Sequence, residues 1–136
     1  MEVLVVQSRH KPLVKPRTTM NTLAVQDWVL NPLGCGYRAA LESAIGEKGK
    51  KLRLRVDTQG AGMQLNLVAV GMGLGLVPKD VLARSDARDD LQVVDVSDFK
   101  LAVDLWVVHP HHAGNLRQAV DAVSDAIVES LRRFSP

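Results

Sequence analysis

Val3-Leu4-Val5-Val6 is an unbroken run of β-branched and leucine side chains with no polar residue at alternate positions. Successive side chains of a strand point to opposite faces, so this strand buries both faces and needs strand neighbours on either side. The rest of the sequence therefore has to supply a sheet for it and layers to cover that sheet.

Further strands and helices alternate downstream. Ser8 to Thr19 carries Arg9, His10, Lys11, Pro12, Lys15, Pro16 and Arg17 and reads as a solvated connector, since its prolines lack the N–H a ladder needs. A short helical turn is expected over Asn21–Gln26, then a strand over Asp27–Leu30, stopped by Asn31-Pro32 and the glycines Gly34 and Gly36. A helix follows from about Tyr37 to Lys48. Lys51 to Asp57 alternates basic and apolar residues, which predicts a strand near a sheet edge with one apolar and one basic face. Met63 to Val70 has few polar gaps and predicts a largely buried helix ending at Gly71. Gly75 to Val77 reads as a short core strand, Pro78 opens a helix to about Arg84, and Ser85 to Asp90 is a loop. Leu91–Val96 and Val103–Val108 are the last strands. From Asn115 to Phe134, the residues Leu116, Val120, Val123, Ile127, Leu131 and Phe134 recur at spacings of 4, 3, 4, 4 and 3, an amphipathic helix. Each of these side chains contributes about 1.5–3 kcal/mol on burial, so the stripe demands a partner surface. The fold class is α/β, a sheet covered by helices.

With 136 residues the chain suffices for one domain or one lobe of a larger one, and 46% apolar against 24% charged residues supports a packed core. Net charge is +2, which provides no cationic surplus for holding a polyanion. Cys35 is the single cysteine, so neither an internal disulfide nor a cysteine zinc framework is available, and a reducing compartment fits. No apolar run reaches the 18 or so residues of a membrane span, and Met1-Glu2-Val3 lacks the basic start of a secretory signal; a cytoplasmic chain is expected.

Among possible chemical motifs, Gly71-Met72-Gly73-Leu74-Gly75 follows a helix and enters a strand, the reverse of a phosphate-cradling loop, so its glycines serve the helix end and close packing on the sheet. His109-Pro110-His111-His112 is the densest set of metal-ligand types, but three imidazoles within four residues seldom converge on one ion, and an exposed loop is the plainer reading. Cys35 has no nearby histidine, and Ser43, Ser85 and Ser124 lie in no nucleophile-elbow context. The most suggestive stretch is Asn31-Pro32-Leu33-Gly34-Cys35-Gly36-Tyr37-Arg38, a strand end, a glycine turn and a helix start, where free N–H groups and the helix dipole favour a small carboxylate and Arg38 adds a charge-assisted bond. Asp57-Thr58-Gln59-Gly60 is a second such handover from strand to helix. In open α/β sheets ligands bind beyond the C-terminal ends of the strands, so the two together form a candidate site.

The order of these motifs resembles the effector-binding domain of LysR-type transcriptional regulators. The features that carry it are the leading Leu-Val-Val strand, His10-Lys11-Pro12-Leu13, Trp28-Val29-Leu30 with its glycine turn and Arg38, Val68 to Pro78 as Val-x-x-Gly-x-Gly-x-x-x-x-Pro, and Leu105-Trp106-Val107-Val108 before a final amphipathic helix. The resemblance implies the second lobe of a type II periplasmic-binding-protein-like fold, a mixed sheet covered by helices with a C-terminal amphipathic helix. Lobe II would span about residues 1–108 and the returning helix about 115–134, without the winged helix-turn-helix that binds DNA. It further implies a cytoplasmic homodimer that senses a small effector such as a carboxylate, with no catalysis, no cofactor, no membrane, and DNA reached only through the N-terminal domain. Effector contacts would fall on Asn31, Gly34, Cys35, Gly36 and Arg38, then on Thr58, Gln59 and Gly60. Cys35 stands where many members carry Ser or Thr, and Lys11 is inserted relative to the usual His-Pro-Leu. The alternatives are a lobe of a solute-binding protein and a small metal-binding or enzymatic domain using His109, His111 and His112.

Overall fold

The computed structural model of the chain describes residues 1–31, 36–102, 123, 125–130 and 132. The chain divides into two compact units, Glu2–Val103, and Asp104–Pro136 together with Met1. In the second unit the described residues 123, 125–130 and 132 are helical. The predicted strand Val103–Val108, the first part of the C-terminal helix and the His109–His112 cluster lie outside the described residues.

The first unit is built around β1 (Glu2–Ser8). Its apolar run is bordered on one edge by β5 (Gly75–Pro78), antiparallel with Val3 opposite Pro78 and Val6 opposite Gly75. Along the other edge lie β6 (Leu91–Val96), with Val5 opposite Val94, and then β7 (Leu101–Ala102), with Val3 opposite Leu101. The neighbours that the sequence of β1 demands are thus present on both sides. β2 (Arg17–Thr18) pairs in parallel with β6. β3 (Asp27–Leu30) and β4 (Arg53–Asp57) form a separate parallel pair. This pair joins the main sheet through a parallel bridge from Trp28 to Leu74, with the Val29 N–H donating to the Leu74 carbonyl (2.8 Å) and the Leu74 N–H to the Asp27 carbonyl (2.9 Å). All the described strands except β1 consequently run in one direction, the mixed sheet the resemblance implied.

Side chains alternate across this sheet into two cores. On one face Val3, Val5, Trp28, Leu30, Leu76 and Val94 meet Met20 and Leu23 of α1 (Met20–Leu23) and Leu41 and Ile45 of α2 (Gly36–Glu47). On the other, Val6, Val29, Val77 and Leu91 meet Leu65 and Val68 of α3 (Ala61–Ala69), with Val81 and Leu82 of α4 (Lys79–Arg84) packed alongside. β3 and β6 coincide with their predicted spans. The connector differs from expectation: Arg17–Thr18 joins the sheet as β2 because the Asp95 N–H reaches past the edge to the Pro16 carbonyl (2.7 Å), which needs no donor from the proline. α3 also differs, for its outer side leaves Met63 62% and Val70 59% exposed. Its apolar residues occupy both faces of the helix, whereas the sheet covers only one.

The glycine run does what its order implies. Gly71 ends α3 with φ +90°, and Gly73 lies so close to β3 that a Cβ there would stand 2.8 Å from the Asp27 carbonyl oxygen. Gln7, fully buried at the end of β1, folds the His10–Leu13 connector back onto the sheet. Its Oε1 accepts from the N–H groups of Leu13 (2.9 Å) and Val14 (3.0 Å), and its Nε2 donates to the Val14 carbonyl (2.9 Å) and to Gln92 Oε1 (3.0 Å).

Candidate functional site

The strands that share one direction end along one edge of the sheet: Leu30 of β3, Asp57 of β4, Pro78 of β5, Val96 of β6 and Ala102 of β7. Glu2, where the antiparallel β1 begins, lies on the same edge, paired with Ala102. Both points at which the chain passes out of the first unit therefore flank the edge that carries the predicted site residues.

Three of those residues form one hydrogen-bonded cluster. The Thr58 hydroxyl donates to Asn31 Oδ1 (3.0 Å) and stands 3.3 Å from the Leu30 carbonyl, which also accepts the Thr58 N–H (2.8 Å). Arg38, in the first turn of α2 and only 7% exposed, donates from Nη1 to the Asn31 carbonyl (3.0 Å). Its guanidinium is bracketed by two carboxylates, Glu42 Oε1 at 3.3 Å from Nε and Asp57 Oδ1 at 3.5 Å from Nη1. Arg38 thus ties the ends of β3 and β4 to α2, and its positive charge is already matched within the chain.

Gly60 is the N-cap of α3 with extended backbone (φ −171°), and its carbonyl accepts the Gln64 N–H (3.1 Å). Gln59 is exposed beside it. Gly36 opens α2 with open space where a Cβ would stand. Gly34 and Cys35 lie outside the described residues, which Asn31 and Gly36 border.

Sequence reasoning missed the partners of Arg38. The Glu42 contact was available as an i, i+4 pair on a predicted helix, whereas Asp57 comes from a strand and follows only from the parallel pairing of β3 with β4. Gln64 carried no signal at all. It sits in an apolar helical run, yet it is wholly buried and donates from Nε2 to the carbonyls of Val29 and Leu76, both at 3.0 Å. No group of three or more metal-ligand side chains occurs among the described residues, and no described helix is long and apolar enough to cross a membrane.

Comparison with solved structures places this architecture. The chain is similar to the regulatory domain of CcmR from Synechocystis PCC6803 in complex with 2-PG, at 20% identity and a TM-score of 0.62, over 90% of this chain and 62% of that one. It is similar to the effector binding domain of QuiR in complex with shikimate, at 16% identity and a TM-score of 0.62, over 91% of this chain and 58% of that one. A third similar structure is the Corynebacterium glutamicum OxyR C206 mutant, at 17% identity and a TM-score of 0.63, over 98% of this chain and 43% of that one. The chain therefore spans less than two thirds of the length of each. No curated protein matches it. The sequence profile of the LysR substrate binding domain matches residues 2–132, nearly the whole chain, and its type II periplasmic-binding-protein-like fold agrees with the mixed, helix-covered sheet found here. The chain belongs to the LysR substrate binding domain family.

Proposed function

We propose that this chain is the second lobe of the effector-binding domain of a LysR-type transcriptional regulator, a sensor without catalysis that acts in the cytoplasm. Lobe II spans about residues 1–108, and the helix of about 115–134 returns towards the other lobe. The observation that carries the reading is the shared edge. Asn31, Arg38 and Thr58 are held together at the strand ends, beside the two points where the chain leaves the unit. A small anionic molecule docks there, between the start of α2 and the start of α3, against Asn31, Gly34, Cys35, Gly36, Arg38, Thr58, Gln59 and Gly60. A ligand that touches two lobes favours the interlobe angle at which both sets of contacts form, and only that difference in affinity shifts the population of the regulator. DNA is reached through the N-terminal domain of such regulators.

Trp28 lies in β3, two residues before the site strand ends, so with the other tryptophan removed as Trp106→Phe its fluorescence reports on the site. Titration with millimolar 2-PG, shikimate and a panel of small mono- and dicarboxylates is expected to give a saturable change with at least one of them, lost in Thr58→Val. A flat response to every member of the panel overturns the effector reading.

The chain also forms a homodimer in this proposal. Two apolar surfaces support it, the stripe from Leu116 to Phe134 in the sequence and the outer side of α3, where Met63 and Val70 are left uncovered. Light scattering at micromolar concentration is expected to give the mass of two chains; the mass of one counts against it.

A further inference from the structure

The bridge between β3 and β5 stops abruptly. In a parallel ladder, hydrogen bonds advance two residues at a time on each strand. After Leu74 N–H to Asp27 O and Val29 N–H to Leu74 O, the next two bonds would be Leu76 N–H to Val29 O and Asn31 N–H to Leu76 O. The two acceptors of those missing bonds, Val29 O and Leu76 O, are the carbonyls that receive the hydrogens of Gln64 Nε2, each at 3.0 Å. One side-chain amide thus stands where two main-chain donors would otherwise be. Space for it comes from Gly75, where a Cβ would lie 3.4 Å from Gln64 Nε2 and 3.0 Å from Val68 Cγ2. Gln64 Oε1 has no partner and is buried, so the side chain is held by its donor end alone.

We infer that Gln64 is a positioning residue, a wedge that keeps the end of β3 parted from β5 and so fixes where Asn31 stands. Asn31 is the next acceptor up the strand and carries both the Arg38 and the Thr58 contacts, so its position sets the mouth between the start of α2 and the start of α3. Without the wedge the shorter route to satisfied carbonyls is closure of the ladder, which draws Asn31 towards β5 and away from both partners. This deepens the effector reading, since the residues it places are that site's. Its test uses no ligand, so either idea fails without the other.

The experiment is amide hydrogen exchange and cross-strand NOE measurement on the wild-type chain and on Gln64→Ala, Gln64→Met and Gln64→Glu. In Gln64→Ala, the amides of Leu76 and Asn31 gain protection of tenfold or more, and the Thr58 amide and hydroxyl contacts to Leu30 and Asn31 weaken. Gln64→Met fills the gap with no donor, strands both carbonyls, and lowers Tm by on the order of 5 °C or more. Gln64→Glu sets a carboxylate against two carbonyl oxygens. Its Tm deficit relative to wild type is small at about pH 4, where the protonated acid donates one hydrogen, and grows as pH rises through the raised carboxyl range. That pH profile separates an amide donor from a side chain that merely fills space, and it stands even if the other two variants do not fold. Wild-type exchange at Asn31, Thr58 and Leu76 in Gln64→Ala, or a Gln64→Glu deficit that does not change with pH, overturns the proposal.

Discussion

Replacing Gly73 by Ala would set a Cβ 2.8 Å from the Asp27 carbonyl oxygen, a distance backbone atoms do not tolerate, and would push β3 off the sheet. Such overpacking is expected to cost about 1–3 kcal/mol, read as a lowered midpoint in urea with the slope unchanged. Thr58→Val keeps the shape and the N–H bond to Leu30 O but removes the hydroxyl donor of the part-buried Asn31 Oδ1; about 1–2 kcal/mol of stability is expected to be lost. Arg38→Met is expected to be worse than Thr58→Val, because it strips the Asn31 carbonyl of its donor and leaves Glu42 and Asp57 without their shared cation. A urea series over the three variants checks the order. The common thread is that polar side chains here, Gln7 above all, act as substitutes for main-chain donors and acceptors where strands part or loops fold back. That use is invisible in a sequence, because a glutamine within an apolar run has the same letters whether its amide faces water or two carbonyls.

Among the elements, legibility followed periodicity. β3 and β6 were readable because their apolar residues are bounded by strong stops, Asn31-Pro32 after one and the polar run Ser85 to Asp90 before the other. β2 was not, since two residues have no period and Pro16 argued against a ladder; its pairing is decided by β6, nearly eighty positions away. A largely buried α3 was expected from its few polar gaps, yet Met63 and Val70 stay exposed, because a helix on an open sheet turns only one side to it. The candidate site was readable as two strand ends, while Asp57 beside Arg38 needed the register of β3 on β4. Converting Met63 and Val70 to Lys together should leave the melting temperature of the isolated unit nearly unchanged, both being solvent-facing, while halving the light-scattering mass if α3 contributes to the dimer. For α1, a helix of one turn, Asp98 supplies the acceptor its own N-cap lacks, through Oδ1 to the Met20 N–H at 2.8 Å. Asp98→Ala is expected to cost about 1 kcal/mol and to speed exchange at Met20 before any other helix.

At the level of the whole molecule, β1 alone among the described strands runs against the rest, and its described partners all come late in the chain. The nearest in sequence is Gly75 opposite Val6, 69 positions on, and Ala102 opposite Glu2 is farther still. Synthesis at about 5–20 residues per second means that Val3–Val6 waits roughly 3–14 s, uncovered, before its first partner exists. During that interval it is an aggregation-prone segment, apolar on both sides and free of charge, able to pair with the same segment of another nascent chain. Chains stopped before Gly75 are expected to precipitate or to be held by a chaperone, and chains released after Ala102 to stay soluble; equal solubility of the two sets would count against this. The strand that organises the finished sheet is therefore also the part of the chain most in need of protection while the sheet is being made.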